Sequence, residues 1–232
     1  MDAQSVIRAL TKVSESTPAE LSARSHPPVV TLSRSMGSGG DEIAAALSER
    51  LGVPCYAREI LDKVAAKARV NTSLVNKLHE RISHASDSWL YSLVAGKNMT
   101  RDDYLYHLVA TVRGLYQMGG IIVGRGSNII LAGRDALRVR ITGSVEICAA
   151  RVAAQDGTEL VDAVERVKAS NKKRNAFTQA MFKEEINDPR YYDLVVNTDR
   201  FTHMDDVVEL ILRTMVSLKL VDVERAFPPT LK

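Results

Sequence analysis

The chain has 232 residues, 45% hydrophobic and 25% charged, an ordinary globular balance that suits one α/β domain with a sizeable insertion. Its net charge of +3, from 31 basic against 28 acidic residues, is too small to argue for a nucleic-acid partner. Two distant cysteines, Cys55 and Cys148, five scattered histidines and no long apolar run argue against a disulfide framework, a protein-held metal and a membrane partner, so a cytoplasmic location is expected.

Val6, Ile7, Leu10 and Val13 share one stripe of a short N-terminal helix, and Ser14 to Pro28 reads as a linker. Residues 1–28 are therefore an arm that docks on the domain or a partner, or stays partly ordered. A domain over 29–218 opens with the strand Val29-Val30-Thr31-Leu32, a glycine turn and a helix. In that helix Ile43, Leu47 and Leu51 fall four apart, and Gly52 supplies the stop. Residues 63–117 have a helical pattern and hold Trp89, Tyr91, Tyr104, Tyr106 and Tyr116. A substrate-covering insert, a homodimer interface and plain core packing all remain open there. Ile121-Ile122-Val123, Leu137 to Ile141 and Leu194 to Val196 are further strands. A helix opens near Ser144, and another runs from about Asp205 to Leu218 with Val207, Val208, Leu210, Ile211 and Met215 as its apolar face. Residues 219–232 form a tail. Short strands alternating with helices predict an α/β fold with a parallel sheet covered on both faces.

The segment Ser35-Met36-Gly37-Ser38-Gly39-Gly40-Asp41-Glu42 runs from the first strand into the first helix. Glycines let successive backbone N–H groups point inward, and a helix N-terminus adds positive potential, a combination that suits phosphate. Laid over the pattern Gly-x-x-x-x-Gly-Lys-Ser/Thr, however, Arg34 replaces the first glycine, Gly40 the lysine and Asp41 the hydroxyl residue. A dinucleotide-binding turn is one rival, with Glu59 as its distant acid, but its third glycine would fall on Glu42. A purely structural turn is the other.

The order of further segments resembles the cytidylate kinase-like family, relatives of bacterial cytidylate kinase with a lysine-free glycine loop. The resemblance rests on Ser33 to Ala44, Leu51-Gly52, Glu59-Ile60-Leu61, Val123 to Asn128, Leu137 to Ile141, Asn171-Lys172-Lys173-Arg174 and Tyr192 to Thr198. It implies a P-loop kinase fold with a helical insert over about 63–117 and a lid over about 151–190. It also implies transfer of the ATP γ-phosphoryl group, with Mg2+ held mainly by nucleotide phosphates and water, to cytidine monophosphate or a related nucleotide. A weakly catalytic nucleotide-binding or regulatory protein on the same fold is the alternative. Arg34, Arg151 and Arg174 would neutralise the transferring group, with Arg34 standing in for the missing lysine. Lys63, Arg125, Asn128 and Asp193 would face the acceptor, and Lys63 stands where cytidylate kinases carry an arginine. Gly126 and Asn171 replace aspartates of the family pattern.

Overall fold

A computed structural model of the protein describes residues 5, 6, 9, 10, 27–58, 61 and 101–228. Five strands, β1 (Val29–Arg34), β2 (Cys55–Tyr56), β3 (Gly120–Val123), β4 (Leu137–Thr142) and β5 (Leu194–Asn197), form one sheet in the order β2-β3-β1-β4-β5. Every pairing is parallel, with Leu32 opposite Val123 on one side and Val139 on the other. Such a sheet needs a cover on each face, and β1 and β3 are accordingly buried along almost their whole length.

The two-residue alternation of a strand sends Val30 and Leu32 to one face and Val29 to the other. Val30 and Leu32 pack with Ile43 and Leu47 of helix α1 (Gly40–Leu51). Val29 and Ile122 pack instead with Leu108, Val112 and Leu115 of helix α2 (Arg101–Met118). Each such side chain removed from water contributes roughly 1.5–3 kcal/mol before entropy is counted. Helix α3 (Ser127–Ile130) is a single turn after β3, and α4 (Val145–Asp156) and α5 (Leu160–Phe182) form a hairpin after β4. The side chain of Ser144 caps α4 by accepting from the Ile147 amide, which explains the helix start read there.

After β5, helix α6 (Met204–Ser217) covers the α1 face, but not with the five residues expected. Leu210 is 39% exposed, and Leu212 is buried beside Val208, Ile211 and Met215. An apolar stripe broader than the sheet contact can be read with either leucine inside. The tail is also more structured than expected, because α7 (Val223–Ala226) returns to α1, where Arg225 donates to the Leu51 carbonyl at 3.0 and 3.2 Å. Strand β2 was not expected, since two residues are too few to show a period.

Val6 and Leu10 are buried in the cluster that holds α2, so that part of the arm docks on the domain. Ile7, Val13, the linker up to residue 26, Glu59, Lys63, Trp89, Tyr91 and the rest of the insert up to residue 100 lie outside the described residues. Within α2, Leu105 through Tyr116 are partly or fully buried, so this stretch is domain core. Among the described residues no helix is long and apolar enough to cross a membrane.

Candidate functional site

In the sheet order the chain leaves β1 towards β2 on one side and leaves its neighbour β4 towards β5 on the other, and ligands of open α/β sheets bind at the carboxyl edge of such a switch point. The glycine loop leaves β1 there. Gly37 and Gly39 take φ of 75° and 78°, the left-handed region that other residues adopt at a cost. The Ser38 hydroxyl, fully buried, donates to the Ser35 carbonyl at 2.9 Å, and Thr198 Oγ1 donates to the Ser38 carbonyl at 3.0 Å. Gly39 is the N-cap of α1 and brings no side chain, so the first-turn amides have no capping acceptor. Among the described residues the amides of Gly37, Ser38, Gly39 and Gly40 donate to no protein group. Braced carbonyls and open amides at a helix N-terminus suit an anion.

Asp41 does not oppose that anion in the way its position in the loop suggests. Its side chain is 73% exposed and accepts from Arg34 Nε at 2.9 Å, while Arg34 is only 13% exposed. The acid therefore turns outward and orients the arginine. Glu42 is exposed on the same turn. The Arg34 guanidinium extends towards β3, with Nη1 3.0 Å from where a β-carbon on Gly124 would lie.

Residues Gly124, Arg125 and Gly126 leave β3 with φ of 79°, 55° and 69°. For Arg125 this costs roughly 1–2 kcal/mol, and such strain gathers at functional sites. Its guanidinium lies over the Phe177 ring of α5, 4.4 Å from the centroid. A β-carbon on Gly126 would strike the Phe182 ring, so the turn and the end of α5 are mutually fitted.

Helix α5 also reaches the loop. Asn171 Oδ1 accepts from the Met36 amide at 3.0 Å, and Arg174 Nη1 donates to the Arg34 carbonyl at 2.7 Å. Burial, then the neighbouring Arg34, pushes the Arg174 pKa down to about 10, which leaves it charged at neutral pH.

These elements enclose a cavity of about 270 Å³ lined by Arg34, Arg58, Arg125, Lys173 and Arg174, with no carboxylate among the described residues of its wall. Ser33 and Asn128 line it too, and Asn128 Nδ2 also donates to the Tyr191 carbonyl at 3.4 Å. The cavity meets the glycine loop at Ser33 and Arg34, while residues from Ser35 to Glu42 lie beyond its wall. Arg58 was not singled out in the sequence. Its only signal is a place two residues past β2, at the same sheet edge.

The structure does not bring Arg151 or Asp193 to this cavity. Arg151 donates to Thr198 Oγ1, the Thr198 carbonyl and the Phe201 carbonyl at 3.0, 2.7 and 3.0 Å, which clamps the loop after β5. Asp193 accepts from the Arg138 amide at 2.8 Å and from its Nε and Nη2 at 3.0 and 2.6 Å, which ties β5 to β4. Asp193→Ala is therefore expected to lower stability by about 1–2 kcal/mol and to leave nucleotide affinity within a factor of about two. Urea unfolding beside ligand titration checks this, and weakened binding in a fully stable variant would return Asp193 to the ligand.

A family profile described as the cytidylate kinase-like family matches residues 29–200, most of the chain, and the protein belongs to that family. The crystal structure of an uncharacterised protein from Eubacterium ventriosum is similar, with a TM-score of 0.61 and 20% identity over 82% of this chain and 99% of that one. Shikimate kinase from Bacteroides thetaiotaomicron superposes with a TM-score of 0.41 and 14% identity over 83% and 98% of the two chains. The first likeness is one of fold. Among curated proteins no match is found.

Proposed function

We propose that this member of the cytidylate kinase-like family is a phosphotransferase that moves the γ-phosphoryl group of ATP to cytidine monophosphate or a related nucleotide. The observation that carries this reading is the concentration of Arg34, Arg58, Arg125, Lys173 and Arg174 in one cavity beside a glycine loop with open amides. Phosphoryl transfer needs positioning and charge neutralisation more than covalent chemistry. Loop amides would take the donor phosphates, with Arg34 at the junction of loop and cavity. Arg125 and Arg174, both in the cavity lining, would grip the acceptor phosphate and the transferring group. Among the described residues the lining offers no carboxylate to a magnesium ion, so phosphate oxygens and water would be the ion's main ligands.

Purified protein given ATP, magnesium and a panel of nucleoside monophosphates should form a diphosphate from at least one of them. No diphosphate from any acceptor would sink the reading. Arg34→Ala should weaken ATP binding roughly tenfold or more, the range of a lost charge-assisted hydrogen bond. Unchanged ATP binding and turnover would remove Arg34 from the site.

A second reading, nucleotide binding with little turnover, is favoured by one observation. Asn171 and Arg174 are already engaged with the loop, on the Met36 amide and the Arg34 carbonyl. It predicts ATP binding that Arg125→Ala abolishes, without product. Turnover of about 1 s⁻¹ or faster would exclude it.

A further inference from the structure

Strand β4 carries two arginines on one face, and only one of them meets an acid. Arg138 is held by Asp193. Arg140, two residues on, is 5% exposed. Its Nη1 donates to Ser33 Oγ at 3.3 Å, and its Nη2 donates to Ser35 Oγ at 3.1 Å and to Asn187 Oδ1 at 3.0 Å. All three acceptors are neutral, and Nε is buried without a partner. Among the described residues no carboxylate pairs with it; of the groups that act on it, the Tyr192 phenol is neutral at pH 7 and Arg34 is of like sign.

A buried cation with only neutral partners is costly, and an arginine cannot escape the cost by losing its proton near neutral pH. Burial lowers the guanidinium's pKa, as expected from that cost, but Arg34 and Arg174 beside it are cations too. An arginine kept only to join strands would be served better by an acid, as Arg138 is. The neighbours of Arg140 point elsewhere. Ser33 and Ser35 flank Arg34, Ser33 lines the cavity, and Ile186, next to Asn187, lines it as well. The charge thus lies one layer of side chains behind the wall where glycine loop and cavity meet.

We propose that Arg140 is a positioning and charge-selecting residue, whose buried charge is balanced only by a phosphate-bearing anion bound at this junction and whose hydrogen bonds fix Ser33 and Ser35 on either side of Arg34. The inference rests on the phosphate site proposed above and adds a residue outside its lining. It makes a prediction of opposite sign for the two states. Without ligand, Arg140 burdens the fold; with ligand, its field strengthens binding.

The test uses the full chain, calorimetric titration with inorganic pyrophosphate and with ATP, and a thermal melt without ligand. Arg140→Met keeps an unbranched stem that reaches about as far as Nε and removes the charge. The ligand-free melting temperature should stay level or rise, while affinity for both anions falls about tenfold or more, the size of a unit charge acting across several ångströms of protein. Arg140→Lys, which keeps the charge, should hold affinity within a factor of about three. A lower melting temperature with unchanged affinity in Arg140→Met overturns the proposal and makes the residue structural. If methionine does not fold, Arg140→Gln is compared with Arg140→Lys. Equal affinities, or the failure of any neutral residue to fold, overturn it too. Wild-type protein that binds neither anion removes the phosphate site itself, whereas wild-type binding with no loss in the variants removes only Arg140.

Discussion

Arg174→Ala is expected to slow phosphoryl transfer by roughly a hundred- to a thousandfold while the fold survives, a loss typical of a donor aimed at developing charge. The residue sits on α5, donates to the Arg34 carbonyl, and lines the cavity together with Arg125. One hydrogen bond to a carbonyl does not balance a half-buried guanidinium, which is why burial and Arg34 depress its pKa to about 10. Removing it therefore relieves repulsion in the ligand-free protein, and the melting temperature should change little. The loss appears when the transferring group brings negative charge between Arg34 and Arg174. Arg174→Lys should fall between wild type and alanine, because an ammonium keeps the charge but not the two-pronged donor. Steady-state kinetics beside a thermal melt separates the cases. A variant that loses activity only in proportion to folded protein would show Arg174 to be a brace for the loop.

Much of this site was legible because its backbone signals are local. The run from Val29 to Leu51 contains a β-branched strand, glycines at the turn and a four-residue apolar spacing, and each forces its element without help from distant residues. Arg125 was legible from its place at the carboxyl end of a strand and from the resemblance. Arg34 and Arg174 came from the resemblance, and the structure brings both to one cavity with Arg125. What stayed hidden depends on partners far along the chain. Arg138 and Arg140 occupy equivalent places in the alternation of Leu-Arg-Val-Arg-Ile, yet Asp193 takes one, and two small serines at the end of β1 and just beyond it make room for the other. Arg151 and Asp193 have side chains suited to a phosphate site, but a loop of carbonyls and an arginine claim them first. Asn171 stands where the family has an aspartate, and its amide oxygen on the Met36 N–H does for the loop what a carboxylate would do with an added charge. In the same way the outward turn of Asp41 is set by Arg34, seven residues back, and no pattern in the loop announces it.

Gly37→Ala should cost about 2–4 kcal/mol of stability and abolish tight phosphate binding, the upper range for a single substitution. Two costs combine at this position. With φ at 75°, any β-carbon meets the left-handed penalty of roughly 1–2 kcal/mol. That β-carbon would also lie 2.3 Å from the Cys148 carbonyl oxygen and 2.8 Å from its carbon, both backbone atoms of α4. A side chain could rotate away, but this carbonyl belongs to a helix anchored by the fully buried Cys148 and Ala149. Either α4 moves or the loop does, and a moved loop no longer aims its amides at one point. Gly52→Ala separates the two costs. Gly52 has φ of 61°, ends α1, and has nothing within 4 Å of its missing β-carbon. It should lose only the left-handed term, roughly 1 kcal/mol, and keep full nucleotide affinity. Urea unfolding and pyrophosphate titration of both variants provide the measurement. Equal losses of stability would show that contact with α4 contributes nothing at Gly37, and undiminished pyrophosphate binding by Gly37→Ala would mean that the turn's conformation is not what holds the anion.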